Sequence, residues 1–228
     1  MKTIYSIYKD FLSNVDDKTY RIFDAEYEDG TEIFEKFKVN IQSKSNVLII
    51  YGDNCSGKSL FANILEAIAK DQKTVVRSAS MKNRTKSGIE KALILGDESR
   101  QSTGETSVSF AEKSLVNTLR ETGLALSVLD EPDLGLSDYY SAPFGKFIAD
   151  YSNQFTEKQG LLLISHSKKL MKSFLKHNEQ SISTLGINTE LSLDEWLENN
   201  DEGTVEELKN LREMAKDKEI RISKAVER

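Results

Sequence analysis

The sequence predicts an α/β protein with a mostly parallel central sheet and helices on both of its faces. Three short apolar runs carry this prediction: "NVLII" at residues 46–50, "LALSVL" at 124–129 and "GLLLI" at 160–164. A strand that is apolar throughout is typical of a sheet covered on both faces. Helical spacing at residues 59–70 and 106–122 separates these runs, so strands and helices alternate along the chain.

Two weaker patterns extend the sheet. Partial alternation of apolar and polar residues on both sides of Asp29-Gly30 predicts an N-terminal antiparallel β-hairpin with a tight turn. The segment "TVVRSAS", residues 74–80, predicts another strand.

The end of the chain is a charged segment that predicts a helix over residues 204–228. Thr204 and Glu207 form a capping box at its start. The expected organisation is therefore one domain over residues 1–198, a short linker, and the C-terminal helix. A solvated helix and an element that docks a partner protein are the two interpretations of this segment.

Composition and charge limit the setting and the partners of the chain. The 228 residues carry a formal net charge of −6, which counts against direct, non-specific binding of nucleic acid. The basic stretch at residues 77–86 leaves nucleic acid open as a partner, although a solvated loop is the other interpretation. No apolar run is long enough to cross a membrane, and the N-terminus lacks the features of a signal peptide. With a single cysteine and hence no internal disulfide, we expect a cytoplasmic location without membrane contact.

The stretch "YGDNCSGKSL", residues 51–60, has the pattern G-x-x-x-x-G-K-[ST] of a phosphate-binding loop between a predicted strand and a predicted helix. Glycines let the backbone curl so that successive N–H groups point at an anion, and the helix directs its positive N-terminal end to the same point. A lysine adds a charge on the β- and γ-phosphates, and a serine hydroxyl binds Mg²⁺. The predicted nucleotide-binding residues of this loop are Gly52, Asp53, Asn54, Cys55, Ser56, Gly57, Lys58 and Ser59.

Two adjacent carboxylates, Asp130 and Glu131, end the second apolar run. An acid at a strand end can reach Mg²⁺ through water, and a second acid beside it can polarise the attacking water. The alternative is an exposed turn before Pro132. His166 follows the third apolar run, where a histidine can hydrogen-bond the γ-phosphate and the attacking water. Its alternative is a capping or packed histidine.

A fourth segment, "RQSTGETSV" at residues 100–108, comes just before a predicted helix. Ser102 and Gly104 can present a hydroxyl and backbone N–H groups at the helix N-terminus, which would make a second anion site. An ordinary helix N-cap explains the same residues.

These segments occur in the order phosphate loop, S-x-G-E, strand-D-E-P, strand-S-H, and that order resembles the ABC-type ATPases. The resemblance covers roughly residues 30–185. It implies a P-loop NTPase of the ABC type in which Lys58 and Ser59 bind the phosphates of ATP and Mg²⁺. It also implies that Asp130 is the metal-site acid, Glu131 the catalytic base and His166 the switch histidine.

The resemblance also implies a homodimer that forms on ATP binding. Ser102, Gly104 and Glu105 stand where the family has its signature, and that signature reaches the nucleotide held by the partner chain. At the last signature position, Glu105 is similar to the glutamate that the DNA-repair and chromosome-maintenance ATPases have there. The stretch "DEPDLGLS", residues 130–137, is similar to short stand-alone ATPases of bacteria and phages.

The chain departs from the family pattern at several points. Cys55 replaces the glycine that is usual there, and Thr103 replaces a signature glycine. Apart from Gln101, which belongs to the signature segment, Gln72 is the only glutamine between the loop and that segment. It comes too early in the chain for the family's Q-loop. The candidates for an adenine-stacking aromatic are Tyr20, Phe23 and Tyr27, and core packing is their alternative.

The expected function is an ATPase that binds and hydrolyses Mg-ATP as an ATP-sandwich dimer and serves DNA repair, recombination or phage DNA metabolism. The alternative is an ATP-dependent switch or regulatory subunit of a partner complex, for example of a defence system, with the C-terminal helix as docking element. A third alternative is the energising subunit of a membrane transporter. The sequence argues against it, because the chain lacks the Q-loop and helical subdomain that normally form the docking surface of such a subunit.

Overall fold

One six-stranded sheet forms the centre of the chain in a computed structural model that describes residues 2–80, 103–200 and 202–227. The strands lie in the order β1-β6-β2-β5-β4-β3. All neighbours are parallel except β1, which is antiparallel to β6. The strand bounds are β1 Phe37–Asn40, β2 Val47–Tyr51, β3 Val75–Ala79, β4 Ala125–Asp130, β5 Gln159–Ile164 and β6 Ile182–Ile187. The predicted α/β class with a mostly parallel sheet is confirmed.

Helices cover both faces of this sheet. In chain order they are α1 Ile4–Asp16, α2 Lys58–Asp71, α3 Thr103–Arg120, α4 Asp138–Ser152, α5 Lys168–His177, α6 Leu193–Glu198 and α7 Val205–Glu227, with a short 3₁₀ helix at Arg21–Asp24. Buried residues of α1 and α2 pack on one face, and those of α3, α4, α5 and α6 pack on the other. Strand β2 explains why both faces need cover: Leu48 and Ile50 belong to the first cluster, and Val47, Ile49 and Tyr51 to the second.

The predicted N-terminal hairpin is reduced to a single antiparallel bridge between Glu26 and Glu32. The turn at Asp29-Gly30 is present, because Gly30 has a φ of 83° and its N–H donates to the Tyr27 carbonyl. No ladder extends from it in the described chain, since the preceding residues form the 3₁₀ helix and bury Phe23 in an aromatic cluster with Phe34 and Phe61. The antiparallel part of the sheet is instead β1 beside β6.

The N-terminal segment forms α1, a helix that the sequence analysis did not predict. A capping box of Thr3 and Ser6 begins it, and its buried face is made of large apolar side chains. At the other end of the chain, the predicted capping box is present, because Thr204 and Glu207 exchange hydrogen bonds at the start of α7. None of the helices in the described ranges combines the length and apolar character that a membrane crossing needs.

The topology brings three strand ends together at one edge of the sheet. Strand β5 lies between β2 and β4, and all three are parallel, so their carboxyl ends point the same way. From β2 the chain crosses through α2 to β3 at the far edge and returns through β4 and β5. Ligands of open α/β sheets bind outside the carboxyl ends of the strands, where the connections diverge. The loops that follow β2, β4 and β5 therefore form the candidate site.

Candidate functional site at the carboxyl edge of the sheet

The loop between β2 and α2 turns through backbone conformations that favour glycine. Gly52 has a φ of 141° and Gly57 a φ of 111°, and Cys55 also lies in the left-handed region with a φ of 59°. Space is as restricted as conformation. A Cβ on Gly52 would lie 2.6 Å from the Ile187 carbonyl oxygen, and one on Gly57 would lie 2.8 Å from a ring carbon of Phe34. These two glycines are thus required by the shape of the loop.

Lys58 begins α2 and folds back over this loop. Its Nζ donates to the carbonyl oxygen of Gly52 at 2.9 Å and to that of Asp53 at 2.7 Å. The residue is only 6% exposed. Burial lowers the pKa of the ammonium to about 8, against the opposing influence of Glu131, Asp53 and Asp130. The arrangement places a desolvated positive charge at the centre of the loop, where an anionic ligand would stabilise it.

Ser59 and Asp130 meet beneath the loop. A hydrogen bond from the Ser59 hydroxyl lowers the pKa of the Asp130 carboxyl, but burial outweighs it and raises that pKa above its ordinary value. The Oδ1 atom of Asp130 is buried without a hydrogen-bond partner in the described part of the chain. A buried carboxylate oxygen without a partner, beside a serine hydroxyl, is the donor set expected of residues that hold Mg²⁺.

No cluster of three or more histidine, cysteine, aspartate or glutamate side chains suited to a metal ion occurs among the described residues. This agrees with the small donor set, because Mg²⁺ usually takes one or two carboxylates from the protein and its remaining ligands from water and substrate phosphates. Ser59 and Asp130 therefore fit a magnesium ion that is bound together with a nucleotide.

The Glu131 carboxylate and the His166 imidazole lie against each other across the ends of β4 and β5. The Nε2 atom of His166 lies 3.1 Å from Oε1 of Glu131, and both side chains are about one-third exposed, at 36% and 34%. Glu131 has a φ of 52°, and its N–H donates to the Ile164 carbonyl at 2.9 Å. This bond ties the end of β4 to the end of β5, so the strained residue is held where its carboxylate reaches the histidine.

A second link between the same two loops escaped the sequence analysis. Ser165 is buried, and its hydroxyl donates to the Asp133 carboxylate at 2.9 Å. The same hydroxyl accepts the N–H of Ser167, the N-cap of α5. Ser165 thereby fixes His166 between two anchored neighbours. The position of Ser165 directly before His166 is the one feature of the sequence that could have indicated its role. Its partner Asp133 is too distant in the chain to be predicted.

Gly104 and Glu105, two of the three predicted signature residues, lie in a different place from Lys58. Ser102 falls outside the described residues. Gly104 is at the start of α3, where a Cβ would lie 3.0 Å from the Gly135 carbonyl, and the Ser107 hydroxyl donates to the Leu134 carbonyl at 2.5 Å. Gly104 and Glu105 line a cavity of about 820 Å³ with the loop after β4. They do not line the cavity that contains Lys58.

The cavity above the loop has a volume of about 700 Å³ and two walls. One wall is the site just described, with Lys58, Ser59, Glu131 and His166. The other wall is the C-terminal helix α7, a neighbour that the sequence pattern did not predict. Its lining residues are Leu211, Ala215, Lys218, Glu219, Ile222 and Ser223.

The candidates for an adenine-stacking aromatic belong to the core or its margin. Phe23 is buried, with its ring centroid 5.3 Å from that of Phe37, and Tyr20 packs against Phe11 and Phe23. Tyr27 lies beneath Arg221 of α7, whose guanidinium carbon is 6.0 Å from the ring centre. None of the three lines the cavity above the loop.

Gln72 is the C-cap of α2. A helix of this length places the residue about 20 Å from the Lys58 end of α2, where the family's Q-loop residue would have to act.

Comparison of the chain with protein-family models gives no match, and comparison with curated proteins gives none either.

Proposed function

We propose that this chain is an ABC-type ATPase that binds Mg-ATP at the loop of residues 52–59 and hydrolyses its γ-phosphate bond. The observation that carries the proposal is the convergence of a buried lysine, a serine–aspartate pair and a glutamate–histidine pair at the carboxyl ends of β2, β4 and β5. The lysine and the two pairs each supply a different requirement of phosphoryl transfer, namely charge on the phosphates, a place for the metal and a base for water.

In this proposal each group of residues has a separate role in ATP hydrolysis. Lys58 and the N–H groups of the loop hold the phosphates and stabilise the negative charge that moves to the leaving oxygen. Ser59 and Asp130 would hold Mg²⁺, which when bound neutralises charge on the phosphates. Glu131 orients the attacking water and accepts its proton, and His166 holds that carboxylate in place and can donate to the γ-phosphate.

The proposal includes a homodimer that closes on ATP. Gly104 and Glu105 line a cavity separate from Lys58 of their own chain, which supports their acting on the nucleotide of a partner chain. An isologous two-fold arrangement would bring two signature segments to two loops and enclose both nucleotides.

For the use of this ATP cycle, the position of α7 favours an ATP-dependent switch over a DNA-dependent enzyme. The helix contacts the nucleotide loop directly, so nucleotide binding is coupled to its position, and Val205, Leu208 and Met214 expose apolar surface that a partner protein could cover. DNA-stimulated hydrolysis is the measurement that separates the two uses.

Substitution of the base tests the chemistry. Glu131→Gln keeps the shape of the side chain but removes the charge that accepts the proton of water. We expect hydrolysis to fall by about 10²- to 10⁴-fold, with ATP affinity within a few-fold of the parent chain. Phosphate release under single-turnover conditions and titration with a fluorescent ATP analogue measure the two quantities.

The matched control for this test is Glu157→Gln, since Glu157 is exposed near the amino end of β5, at the opposite edge of the sheet. It should change neither quantity. Hydrolysis at the parent rate in Glu131→Gln would make Glu131 a turn residue, and a chain that binds no ATP would end the proposal.

A further inference from the structure

The C-terminal helix α7 is attached to the middle of the phosphate-binding loop. The Nζ atom of Lys218 donates to the carbonyl oxygen of Cys55 at 2.8 Å, and the Cys55 thiol lies 3.7 Å from the Leu211 carbonyl oxygen. These contacts place Lys218 in the wall of the cavity that also contains Lys58 and Ser59. The loop therefore has two buried lysines beside it, one from its own helix and one from the end of the chain.

The charge of Lys218 is not matched by a carboxylate in the described structure. The residue is 8% exposed and makes no ion pair with any described residue, and its other neighbour is the ring of Phe34, 5.8 Å away. Of the two acids that flank it in sequence, Asp217 and Glu219, Asp217 pairs with Arg221. Burial lowers the pKa of the Lys218 ammonium. A buried cation without an anion is unfavourable, so the site as it stands favours an anionic ligand.

The hydrogen-bonding capacity of Lys218 is also only partly used. An ammonium has three N–H donors, and among the described residues the Cys55 carbonyl is its one hydrogen-bond acceptor. The remaining donors are available to a ligand in the cavity. Glu219 on the next position of α7 lines the same cavity, but it makes no ion pair with Lys218.

We propose that Lys218 is a second cationic contact for the polyphosphate of the nucleotide that the loop binds. The inference rests on the proposed function, because it assigns a further binding residue to the same site. With Lys218 in this role, α7 is a component of the nucleotide site. The charge of Lys218 selects a nucleoside triphosphate over a neutral nucleoside.

Affinity measurements with two probes test this assignment. Lys218→Met removes the charge but keeps the apolar stem on Phe34, and Lys218→Gln keeps a donor for the Cys55 carbonyl without the charge. By calorimetry we expect both variants to bind Mg-ATP and inorganic tripolyphosphate at least about tenfold more weakly, since hydrogen bonds to charged groups are the strong ones. Lys218→Arg should remain within about threefold of the parent chain.

The matched control is Lys216→Met, an exposed lysine on the same helix whose loss changes the net charge equally. Unchanged affinity in folded Lys218→Met would overturn the inference. A loss confined to Lys218→Met and absent from Lys218→Gln would make Lys218 an anchor of the loop, and a loss with Mg-ATP but not tripolyphosphate would place its contact away from the phosphates. Tighter binding would mean that α7 occludes the site. Each of these four results contradicts the assignment.

Lys58→Ala in the same series separates this inference from the proposed function. One result would overturn the inference alone: the parent chain binds both probes, Lys58→Ala binds neither, and Lys218→Met and Lys218→Gln still bind both. If the parent chain binds neither probe, both fall. Melting temperatures without ligand establish that each variant is folded.

Discussion

At the scale of single residues, the loop between β2 and α2 keeps its shape through local strain and specific hydrogen bonds. Cys55 occupies the left-handed region that a glycine would occupy without strain, and this costs roughly 1–2 kcal/mol for a residue with a side chain. The Cys55 carbonyl accepts a hydrogen bond from the Lys218 ammonium. Lys58 binds two further loop carbonyls. Both buried lysines therefore stabilise the curled backbone by using carbonyls that α2 does not satisfy.

The lowered pKa of Lys58 predicts how nucleotide affinity depends on pH. Below its pKa of about 8 the free protein already carries the charge that polyphosphate requires, so affinity should be nearly constant between about pH 7 and 7.5. Above about pH 8 binding must take up a proton, and affinity should fall by up to about tenfold per pH unit. Titrations of a fluorescent ATP analogue between pH 7 and 9.5 measure this decline.

The control for the pH profile is Lys58→Arg, whose guanidinium remains charged throughout the range. Whatever its absolute affinity, its profile should be flatter than that of the parent chain. Lys218 also has a pKa lowered by burial and contributes with the same sign, so the Lys58 component is isolated in Lys218→Met. A parent affinity that is constant up to pH 9.5 would contradict the assigned role of Lys58.

Residues close in sequence could be predicted, and residues joined only by the fold could not. Gly52, Gly57 and Lys58 stand within one short segment, where chemistry dictates both residue type and spacing, and in the structure this segment is the turn between β2 and α2. The contact of Lys218 with Cys55 spans 163 positions of the chain. No local periodicity reports such a contact, so the charged C-terminal segment indicated a helix but not its neighbour.

At the scale of elements, α7 is held beside the loop mainly by polar contacts. Arg221 pairs with Glu28 at 3.2 Å and donates to the Glu26 carbonyl at 3.3 Å, and a pair with Asp217 at 2.8 Å within α7 orients its guanidinium. Only Lys218 and Ala225 of this helix are buried. An element with little buried apolar surface opens more readily than the core, so we expect the contacts of Arg221 to influence how often α7 leaves the loop.

Removal of those contacts should expose the Cys55 thiol. In Arg221→Ala we expect α7 to open more often, and a maleimide should then label Cys55 at least about threefold faster than in the parent chain. Arg212→Ala is the matched control, because Arg212 is an exposed residue of the same helix. Rates followed by mass spectrometry give the comparison, and bound Mg-ATP should slow labelling. Equal rates in the two variants would mean that Arg221 does not hold α7 on the loop.

Four of the six described strands could be predicted, namely β2, β4 and β5 from their uniform chemistry and β3 from the segment at residues 74–80. Strands β2, β4 and β5 are buried along nearly their whole length, so their apolar runs are unmistakable. Strand β6 carries Ser183, Thr184 and Gly186 in buried or nearly buried positions, and this mixture concealed it. The hairpin prediction was too extensive for a related reason: the alternating aromatics there fill a core cluster and not a ladder.

At the scale of the whole molecule, the loop of residues 52–59 and the predicted signature residues Gly104 and Glu105 line different cavities. Lys58 lies in the cavity beneath α7, whereas Gly104 and Glu105 line the one between α3 and the start of α4. Tyr139 and Tyr140 are exposed near the second cavity at 82% and 55%. A surface of this kind is suited to burial against another molecule. This separation is the physical reason to expect that a complete site needs two copies.

Complementation between two inactive variants tests whether the site is shared. Lys58→Ala removes the phosphate charge, and Ser102→Arg places a bulky cation at the predicted signature. Each homodimer has two defective sites and should be inactive. In a mixed dimer one site combines both defects, and the other joins the intact Lys58 of one chain to the intact Ser102 of its partner. At equal mixing about half of the dimers are mixed, so activity should return to about a quarter of the parent value for independent sites in a two-fold dimer.

The measurement is steady-state hydrolysis after subunit exchange, with each variant alone as control and exchange followed by energy transfer between labelled chains. If Ser102 acted on the nucleotide of its own chain, every site of a mixed dimer would carry a defect and no activity would return. Recovery therefore requires both a dimer and a site built across it. Proven exchange without recovery would contradict the shared site and leave residues 100–108 as a helix cap, since the intact pair would then have met without effect.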